Sequence, residues 1–154
     1  MCIRDRGKPY DIKPGNPSSI ERIESGLLSH GNDMTLDNNP CEIGLGKYCD
    51  LEQKADFIGK EALRRIKAEG VSQKIVGIVL PDVKITGMAG WRKLSDEAGA
   101  PAGQITSLAY SPRLEKTIGF AMVPMAQTAV DTKLVAHMPD GDLPAVVHEI
   151  PFIK

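Results

Sequence analysis

From residue 73 onward the sequence changes from a helical spacing of apolar residues to short runs rich in β-branched residues, and this change constrains the fold most. Such runs, with no helical pattern between them, are typical of antiparallel strands joined by short connections. The predicted strands are Lys74–Leu80, Arg92–Ser95, Gly103–Ala109, Thr117–Val123, Lys133–His137 and Ala145–Ile150. Hairpin-like turns fall at Glu97–Pro101 and Pro139–Asp142. The second half of the chain is therefore predicted to form an antiparallel β-barrel or sandwich.

A helix is predicted before this β region. Asn16 is a suitable N-cap, and Pro17 follows it at the first helical position, where a missing N–H costs nothing. The helix should run to about residues 29–30, with Gly31 as the left-handed residue that ends it. Residues 31–50 are rich in Asn, Asp and Gly, and they predict a long ordered loop with room for one short strand.

A second helix is predicted between Asp56, as its N-cap, and Gly70, as its end. Its predicted apolar stripe is Ile58, Ala62, Leu63 and Ile66. Its predicted solvated face holds the basic residues Lys60, Arg64, Arg65 and Lys67. The chain as a whole is thus predicted to be α+β, with a boundary near residue 70.

The first helix carries a carboxylate on its apolar face. At about 100° per residue, Ile20, Ile23, Leu27 and Leu28 form one stripe, and Glu24 falls inside that stripe. A carboxylate in such a place needs a partner. One interpretation is structural, with Glu24 reaching water, an arginine or a backbone N–H at the edge of the stripe. The other is functional, with the carboxylate accepting hydrogen bonds from a ligand.

Composition excludes several classes of function. The 154 residues are 42% hydrophobic and carry a net charge of −1, so neither nucleic acid nor a membrane surface is an expected partner. No apolar run is long enough to span a membrane or resembles a signal peptide, and we expect a cytoplasmic protein. Three cysteines and three histidines lack the spacing of a disulfide framework or a metal site. Residues 1–6 show neither the helical nor the strand spacing of apolar residues, and we interpret them as a non-native scar.

The connection after the third predicted strand is a second candidate site. Tyr110 and Arg113 lie in a polar Tyr-Ser-Pro-Arg turn, which is either a capped turn on the barrel rim or part of a cleft facing the helical region. The sequence contains no GxSxG motif, no Cys placed with a His and no phosphate-binding glycine loop. The spacing of residues in the sequence therefore does not by itself identify a reaction.

The residues around Glu24 resemble a known family. Arg22–Asp33 is similar to the "RxEaGlxxyGxD" segment of the folate-dependent aminomethyltransferases, which include the T-protein of glycine cleavage. Further landmarks in the same order are Asn39–Glu42, Asp56–Leu63, Ser111-Pro112 with Lys116, and Ile150–Phe152. The resemblance runs from about Gly7 to the end of the chain but covers only the C-terminal part of the family. It implies that residues 7–70 end a folate-binding α+β region and that residues 71–154 form the C-terminal β-barrel domain.

Within the family the chain is most similar to the dimethylsulfoniopropionate demethylases. The residues that carry this are Ile20–Ser29, Tyr110–Pro112 and Ile118–Met122, together with Lys47-Tyr48 where T-proteins tend to have Trp. No "PRxGYPV" run precedes the Glu97–Pro101 turn, and His30 replaces the usual Tyr.

The resemblance implies a reaction and a cofactor. A methyl group would pass from a small sulfonium substrate to N5 of tetrahydrofolate, giving methylthiopropionate and 5-methyltetrahydrofolate. Glu24 is implied to bind the pterin ring, exposed here beside a pocket whose other wall lies outside the chain. The further candidates for folate contacts are Arg22, Lys47, Tyr48, Tyr110 and Arg113. The catalytic residues stay unknown.

The sequence is compatible with other functions. The chain is also compatible with part of an aminomethyltransferase, with a folate domain of a methylglycine-oxidising enzyme, or with a barrel module that binds folate or a partner without catalysis. We expect the 154-residue chain alone to be inactive and to bind folate weakly, and to expose apolar surface around its first helix. A homodimer is left open for the intact protein.

Overall fold

The computed structural model describes residues 6–11, 18–81, 83–85 and 91–153, and its dominant feature is a closed barrel of six antiparallel strands. The strands are β1 (Gln73–Leu80), β2 (Arg92–Ser95), β3 (Pro101–Ser111), β4 (Lys116–Pro124), β5 (Lys133–Met138) and β6 (Gly141–His148). Around the barrel their order is β1-β4-β3-β2-β5-β6, and pairing of β1 with β6 closes the ring. The predicted α+β fold class and the antiparallel barrel are confirmed.

The observed bounds of the first five strands lie within two residues of the prediction, and the last strand differs more. β6 was expected at Ala145–Ile150 but begins at Gly141 and ends at His148. Pro139 and Asp140 form a tight turn, so Gly141 already pairs with Met138. The sequence prediction began the turn at the right residue but extended it two residues too far, because Gly141 and Asp142 have turn-like composition.

Alternation along the strands separates two apolar clusters. One fills the barrel interior with residues such as Ile78, Leu108 and Leu134. The other lies on the outer face of β1, β3 and β4, where Ile118, Phe120 and Met122 pack against Ile23 of the first helix. The helical segment is therefore docked on the outside of the barrel.

The first helix, α1 (Ser19–Glu24), is shorter than predicted at both ends. Asn16 and Pro17 lie outside the described residues. The N-cap is Ser18, whose hydroxyl accepts from the N–H of Glu21, while the Glu21 carboxylate accepts from the N–H of Ser18. This reciprocal capping box fixes the start of the helix.

The end of α1 is a glycine turn within the predicted stripe. Gly26 has a φ of +75° and donates to the carbonyl of Ile23 at 3.0 Å, while the N–H of Leu27 donates to the carbonyl of Arg22 at 2.9 Å. These two bonds form a Schellman motif, which ends the helix five residues before Gly31. Leu27 is consequently exposed instead of buried, and that part of the stripe prediction was wrong.

The second helix, α2, spans Lys60–Glu69, with Gly59 as its N-cap and Gly70 as its C-cap. Its end agrees with the prediction, but its start lies after the predicted N-cap, Asp56. The Asp56 carboxylate accepts from the neighbouring Phe57 N–H instead of capping the helix. Lys60 was predicted to be solvated, but it is buried, and its Nζ donates to the carbonyls of residues 53 and 55. Ile58, predicted to be part of the apolar stripe, is fully exposed.

The stretch between the helices is an irregular ordered loop, as predicted. It contains successive turns, a 3-10 turn at Gly46–Tyr48 and one isolated bridge between His30 and Met34. Within the described part of the chain, no helix has the length and apolar character needed to cross a membrane.

Candidate functional site

Glu24 lies at the C-terminal end of α1, between that helix and strand β3. Its Oε1 accepts a hydrogen bond of 2.5 Å from the hydroxyl of Ser111, which is itself fully buried. Its Oε2 lies 3.9 Å from Nη1 of Arg113, too far for a hydrogen bond. Glu24 is 4% exposed, so the expectation of an exposed carboxylate was wrong, although its position on the buried face of the helix was right.

The C-terminal residues cover the end of the same helix. The carbonyl of Glu24 accepts from the N–H groups of Phe152 and Ile153 at 3.0 and 3.1 Å. A carbonyl at a helix end has no partner within the helix, and these bonds supply one. A Cβ at Gly26 would lie 2.5 Å from Cγ2 of Ile150, so the close approach of the tail requires glycine there. Glu24 is thus held by its backbone as well as by its side chain.

Asp33 is the centre of a second polar network that joins the loop, the helix and the barrel. Its buried carboxylate accepts from Nη1 of Arg22 at 2.5 Å and from the N–H of Ser29 at 2.9 Å. The hydroxyls of Thr106 and Ser107 on β3 donate to it at 2.7 and 2.6 Å. Four donors satisfy this carboxylate, which is what a buried charge requires.

Both terminal nitrogens of Arg22 are used in structural hydrogen bonds. Nη1 also donates to the carbonyl of Leu27 at 2.9 Å, and Nη2 donates to the hydroxyl of Ser107 at 2.9 Å. The guanidinium lies 5.7 Å from the centre of the Phe120 ring, at a cation–π distance. Its role as a folate contact stays a prediction, while its role in docking α1 on the barrel follows directly from these bonds.

The two carboxylates differ in how their charge is balanced. Asp33 faces a partly buried arginine at hydrogen-bonding distance, whereas the nearest cation to Glu24 is Arg113, whose side chain is 68% exposed. Oε2 of Glu24 makes no hydrogen bond with any of the residues that the structure describes. One acceptor oxygen of a buried carboxylate is therefore left for a donor from elsewhere.

Tyr110 and Arg113 do not form one cluster. Successive residues of a strand point to opposite faces, so Tyr110 points away from the face on which Ser111 meets Glu24. Nζ of Lys84 lies 4.9 Å from the centre of the Tyr110 ring. The turn thus places Arg113 beside Glu24, and it places Tyr110 on the other side of the sheet.

Tyr48 lines a separate cavity of about 730 Å³, whose lining includes Ser25, the residue after Glu24. The cavity runs between the Ser25–Leu28 turn, the loop at Ile43–Tyr48 and the start of β1. Tyr48 is largely exposed, and Nζ of Lys47 lies 5.0 Å from the centre of its ring. The exposed Leu27 also lines this cavity, which agrees with the expected apolar surface near the first helix.

Sequence reasoning missed Ser111 as the partner of Glu24, and it missed Asp33 and Ser107 as the partners of Arg22. It also missed Thr106, which donates to Asp33. A signal was present, because Ser107 and Ser111 lie on the same covered face of β3 as Ala109. Hydroxyls on an otherwise apolar, covered strand face indicate a polar partner across the interface. No group of three or more metal-ligating side chains occurs in the described ranges.

Comparison with known proteins places this geometry in a family. Residues 73–154 match the family described as the glycine cleavage T-protein C-terminal barrel domain. A dimethylsulfoniopropionate demethylase of Ruegeria pomeroyi is 37% identical over 143 residues, which are 93% of this chain and 38% of that protein. An aminomethyltransferase of Clostridium botulinum is 38% identical over 147 residues, which are 94% of this chain and 39% of that protein.

A solved structure gives the same result. The glycine cleavage system aminomethyltransferase T of Bartonella henselae superposes with a TM-score of 0.78 at 29% identity, over 88% of this chain and 37% of that one. The chain thus spans 37–39% of the length of these three proteins. With the family match over the barrel and the closed six-stranded fold, these likenesses show that the chain belongs to the glycine cleavage T-protein family, as a C-terminal portion that includes the barrel domain.

Proposed function

We propose that this chain is the C-terminal part of a tetrahydrofolate-dependent methyltransferase that demethylates dimethylsulfoniopropionate. The products would be methylthiopropionate and 5-methyltetrahydrofolate, and the enzyme would act in the cytoplasm. The likeness to the Ruegeria pomeroyi demethylase supports this substrate. The observation that carries the proposal is the buried Glu24, with one oxygen bound by Ser111 and the other uncommitted among the described residues.

Glu24 suits recognition of a pterin. A buried carboxylate loses most of its hydration and is stabilised by donors in exchange, and Ser111 supplies only one, while Oε2 keeps a small exposure to solvent. The amino group and a ring N–H of a pterin would supply two more, in hydrogen bonds strengthened by the negative charge. Because Ser111 holds the carboxylate and the C-terminal tail holds the Glu24 backbone beforehand, binding does not have to order this residue.

The chemistry asks little of the protein beyond positioning. A sulfonium is a good leaving group, and N5 of tetrahydrofolate accepts the methyl group as the carbon–sulfur bond breaks and the N5 proton is released. What this chain contributes is orientation of the pterin by Glu24 and exclusion of water around it. No acid or base among its residues is needed to make the sulfur leave.

The remaining candidates fall into three positions. Arg113 lies beside Oε2 of Glu24 and is exposed enough to contact a ligand there. Tyr48, with Lys47, lines the neighbouring cavity and is proposed to contact the folate beyond its pterin ring. Arg22 and Tyr110 are weaker candidates, since Arg22 is used by the Asp33 network and Tyr110 points away from Glu24.

An aminomethyltransferase is the second candidate function. The Clostridium botulinum relative is as similar to the chain as the Ruegeria pomeroyi demethylase is, at 38% against 37% identity. Assays of the intact enzyme with each substrate separate the two. We expect formation of 5-methyltetrahydrofolate from dimethylsulfoniopropionate and no turnover of aminomethylated carrier protein. Turnover of the aminomethylated carrier protein without turnover of dimethylsulfoniopropionate would refute the proposal of a demethylase.

We also propose how the chain divides. Residues 7–70 would end the folate-binding region, residues 71–154 would be the barrel domain, and residues 1–6 would not be native. The rest of the folate pocket would then come from the part of the relatives that this chain does not cover. Calorimetry of the 154-residue chain with tetrahydrofolate should detect only weak binding. A dissociation constant in the micromolar range or below would contradict this division.

A further inference from the structure

Three polar side chains form a hydrogen-bonded row on the outer face of the barrel, away from Glu24. Oγ of Ser95 on β2 lies 3.1 Å from Nε2 of His137 on β5. Nδ1 of the same ring lies 2.7 Å from Oδ1 of Asp142 on β6. A hydroxyl, an imidazole and a carboxylate in this order are the parts of an activated serine nucleophile, which is recognised by geometry and not by sequence position.

The directions of the two hydrogen bonds suit that role. An ionised Asp142 only accepts, so Nδ1 of His137 carries the proton that it donates to Oδ1. In the tautomer with its proton on Nδ1, the uncharged ring accepts at Nε2, and the Ser95 hydroxyl can donate to it. The imidazole is thus oriented to take the serine proton, and the carboxylate stabilises the cation that forms.

The barrel register creates this arrangement. His137 pairs directly with Asp142 across the β5–β6 hairpin, and Ser95 pairs with Val135, two residues before His137 on the same face. The register of β2 against β3 shifts between Leu94 and Ser95, at a bulge. Bulges re-aim side chains and are common beside active sites. Ser95 and His137 are 42 residues apart, so no sequence spacing could show the pair.

The site is open on one side and narrow at the serine. The side chains of His137 and Asp142 are 42% and 62% exposed, and Asp142 also lines a groove of about 480 Å³ with Glu97, Val135 and Pro144. Ser95 itself is only 5% exposed. A reagent can therefore approach from solvent past the exposed His137 and Asp142 side chains, but only a small reacting group reaches Oγ of Ser95.

We propose that Ser95, His137 and Asp142 form a nucleophilic site that accepts acyl groups from small activated esters. Oγ of Ser95 bonds to the carbonyl carbon as its proton passes to Nε2 of His137. The carbon–oxygen bond to the leaving alcohol breaks, and that alcohol takes the proton. Water then attacks the acyl-serine with His137 again as the base, releasing the acid and restoring Ser95.

Two measurements on the 154-residue chain test this site. The first is labelling by a small alkyl fluorophosphonate, in which an Oγ–phosphorus bond forms and fluoride leaves with the serine proton, located by mass spectrometry. The second is hydrolysis of p-nitrophenyl acetate. The variants are Ser95→Ala, His137→Gln and Asp142→Asn, and the matched control is Ser72→Ala, at an exposed serine outside the site.

We expect the unaltered chain and the Ser72→Ala control to be labelled at Ser95, and Ser95→Ala not to be labelled. His137→Gln should lower the labelling and hydrolysis rates by about 100-fold, the lower end of what a positioned general base contributes. Asp142→Asn, at an exposed position, should lower both rates without unfolding the barrel. No label on Ser95, or an equal labelling rate in His137→Gln with an unchanged circular dichroism spectrum, would overturn the proposal.

Discussion

The barrel and the segment that precedes it are stabilised in different ways. The barrel closes all six strands on one another and fills its interior with apolar side chains. Between residues 18 and 70, the buried hydrophobic residues are only Ile23, Ile43 and Leu51, and α2 buries none. The segment is positioned by a small apolar contact of Ile23 and its neighbours with the outer face of the barrel, and by bonds from Arg22, Asp33 and Glu24 to strand β3. A large apolar core stabilises the barrel, whereas the docking of the segment depends on a small apolar contact and a few directional polar bonds.

This difference predicts separable responses to mutation. An apolar core unfolds as a unit when a cavity is introduced, because neighbouring side chains share the loss. A segment docked by a few polar bonds can open locally while the structure beneath it stays folded. The following variants are ordered from the largest expected effect to the smallest.

Removal of a core side chain should destabilise the whole barrel. Leu108→Ala leaves a cavity in the interior cluster and should lower the free energy of unfolding by about 2–5 kcal/mol. Leu36→Ala, at an exposed leucine, is the control and should change it by less than about 0.5 kcal/mol. Urea titration measures both, and equal effects would contradict the assignment of Leu108 to the core.

Asp33→Asn should loosen the segment without unfolding the barrel. The new amide cannot accept at both oxygen positions, so either Arg22 or the hydroxyls of β3 lose their acceptor. The free energy of opening at α1 should fall by about 2 kcal/mol, the loss expected for a hydrogen bond to a charged group.

Hydrogen exchange distinguishes the two regions in this variant. Amides of α1 should exchange faster, and amides of β3 and β4 should keep their protection. Asp37→Asn, at an exposed aspartate, is the control. Equal loss of protection in both regions would show that the segment and the barrel are one cooperative unit.

Ser111→Ala should have a smaller and more local effect. It removes the hydroxyl that donates to Glu24 and accepts from the N–H of Leu114, at a cost of about 1–2 kcal/mol. Exchange at the C-terminal end of α1 should rise, because the carboxylate loses its donor. Unchanged exchange there would mean that the C-terminal tail alone holds Glu24.

Arg113→Gln should have the smallest effect on stability. Its guanidinium is largely exposed and lies 3.9 Å from Glu24, so the ion pair is worth at most about 0.5 kcal/mol. A melting temperature within experimental error of the unaltered chain is expected at high salt. A large loss of stability would show that Arg113 balances the buried charge of Glu24.

Sequence patterns predicted the barrel better than the segment, for a physical reason. Alternation is a local property, and it located five of the six strands to within a few residues. Helix ends depend on single capping contacts. The Asn16-Pro17 pair suggested an earlier start than the capping box at Ser18, and the apolar stripe suggested a later end than the glycine turn at Gly26.

The polar networks could not be predicted from spacing. Glu24 and Ser111 are 87 residues apart, and Asp33 and Thr106 are 73 apart. Their pairing depends on how α1 lies on the barrel, which no local period encodes. The pattern did show that Glu24 lies on a buried face, and the resemblance supplied the family, which the barrel match confirmed.

Binding of tetrahydrofolate to the intact enzyme with Glu24→Gln tests the central claim most directly. The glutamine keeps an oxygen for the Ser111 hydroxyl but loses the charge and the second acceptor, so the fold should be retained. We predict a dissociation constant at least about tenfold higher, from the loss of one charge-assisted bond. The control, Glu52→Gln at an exposed glutamate, should bind normally. Unchanged affinity in Glu24→Gln, with the control also unchanged, would contradict the proposal that this carboxylate binds the pterin.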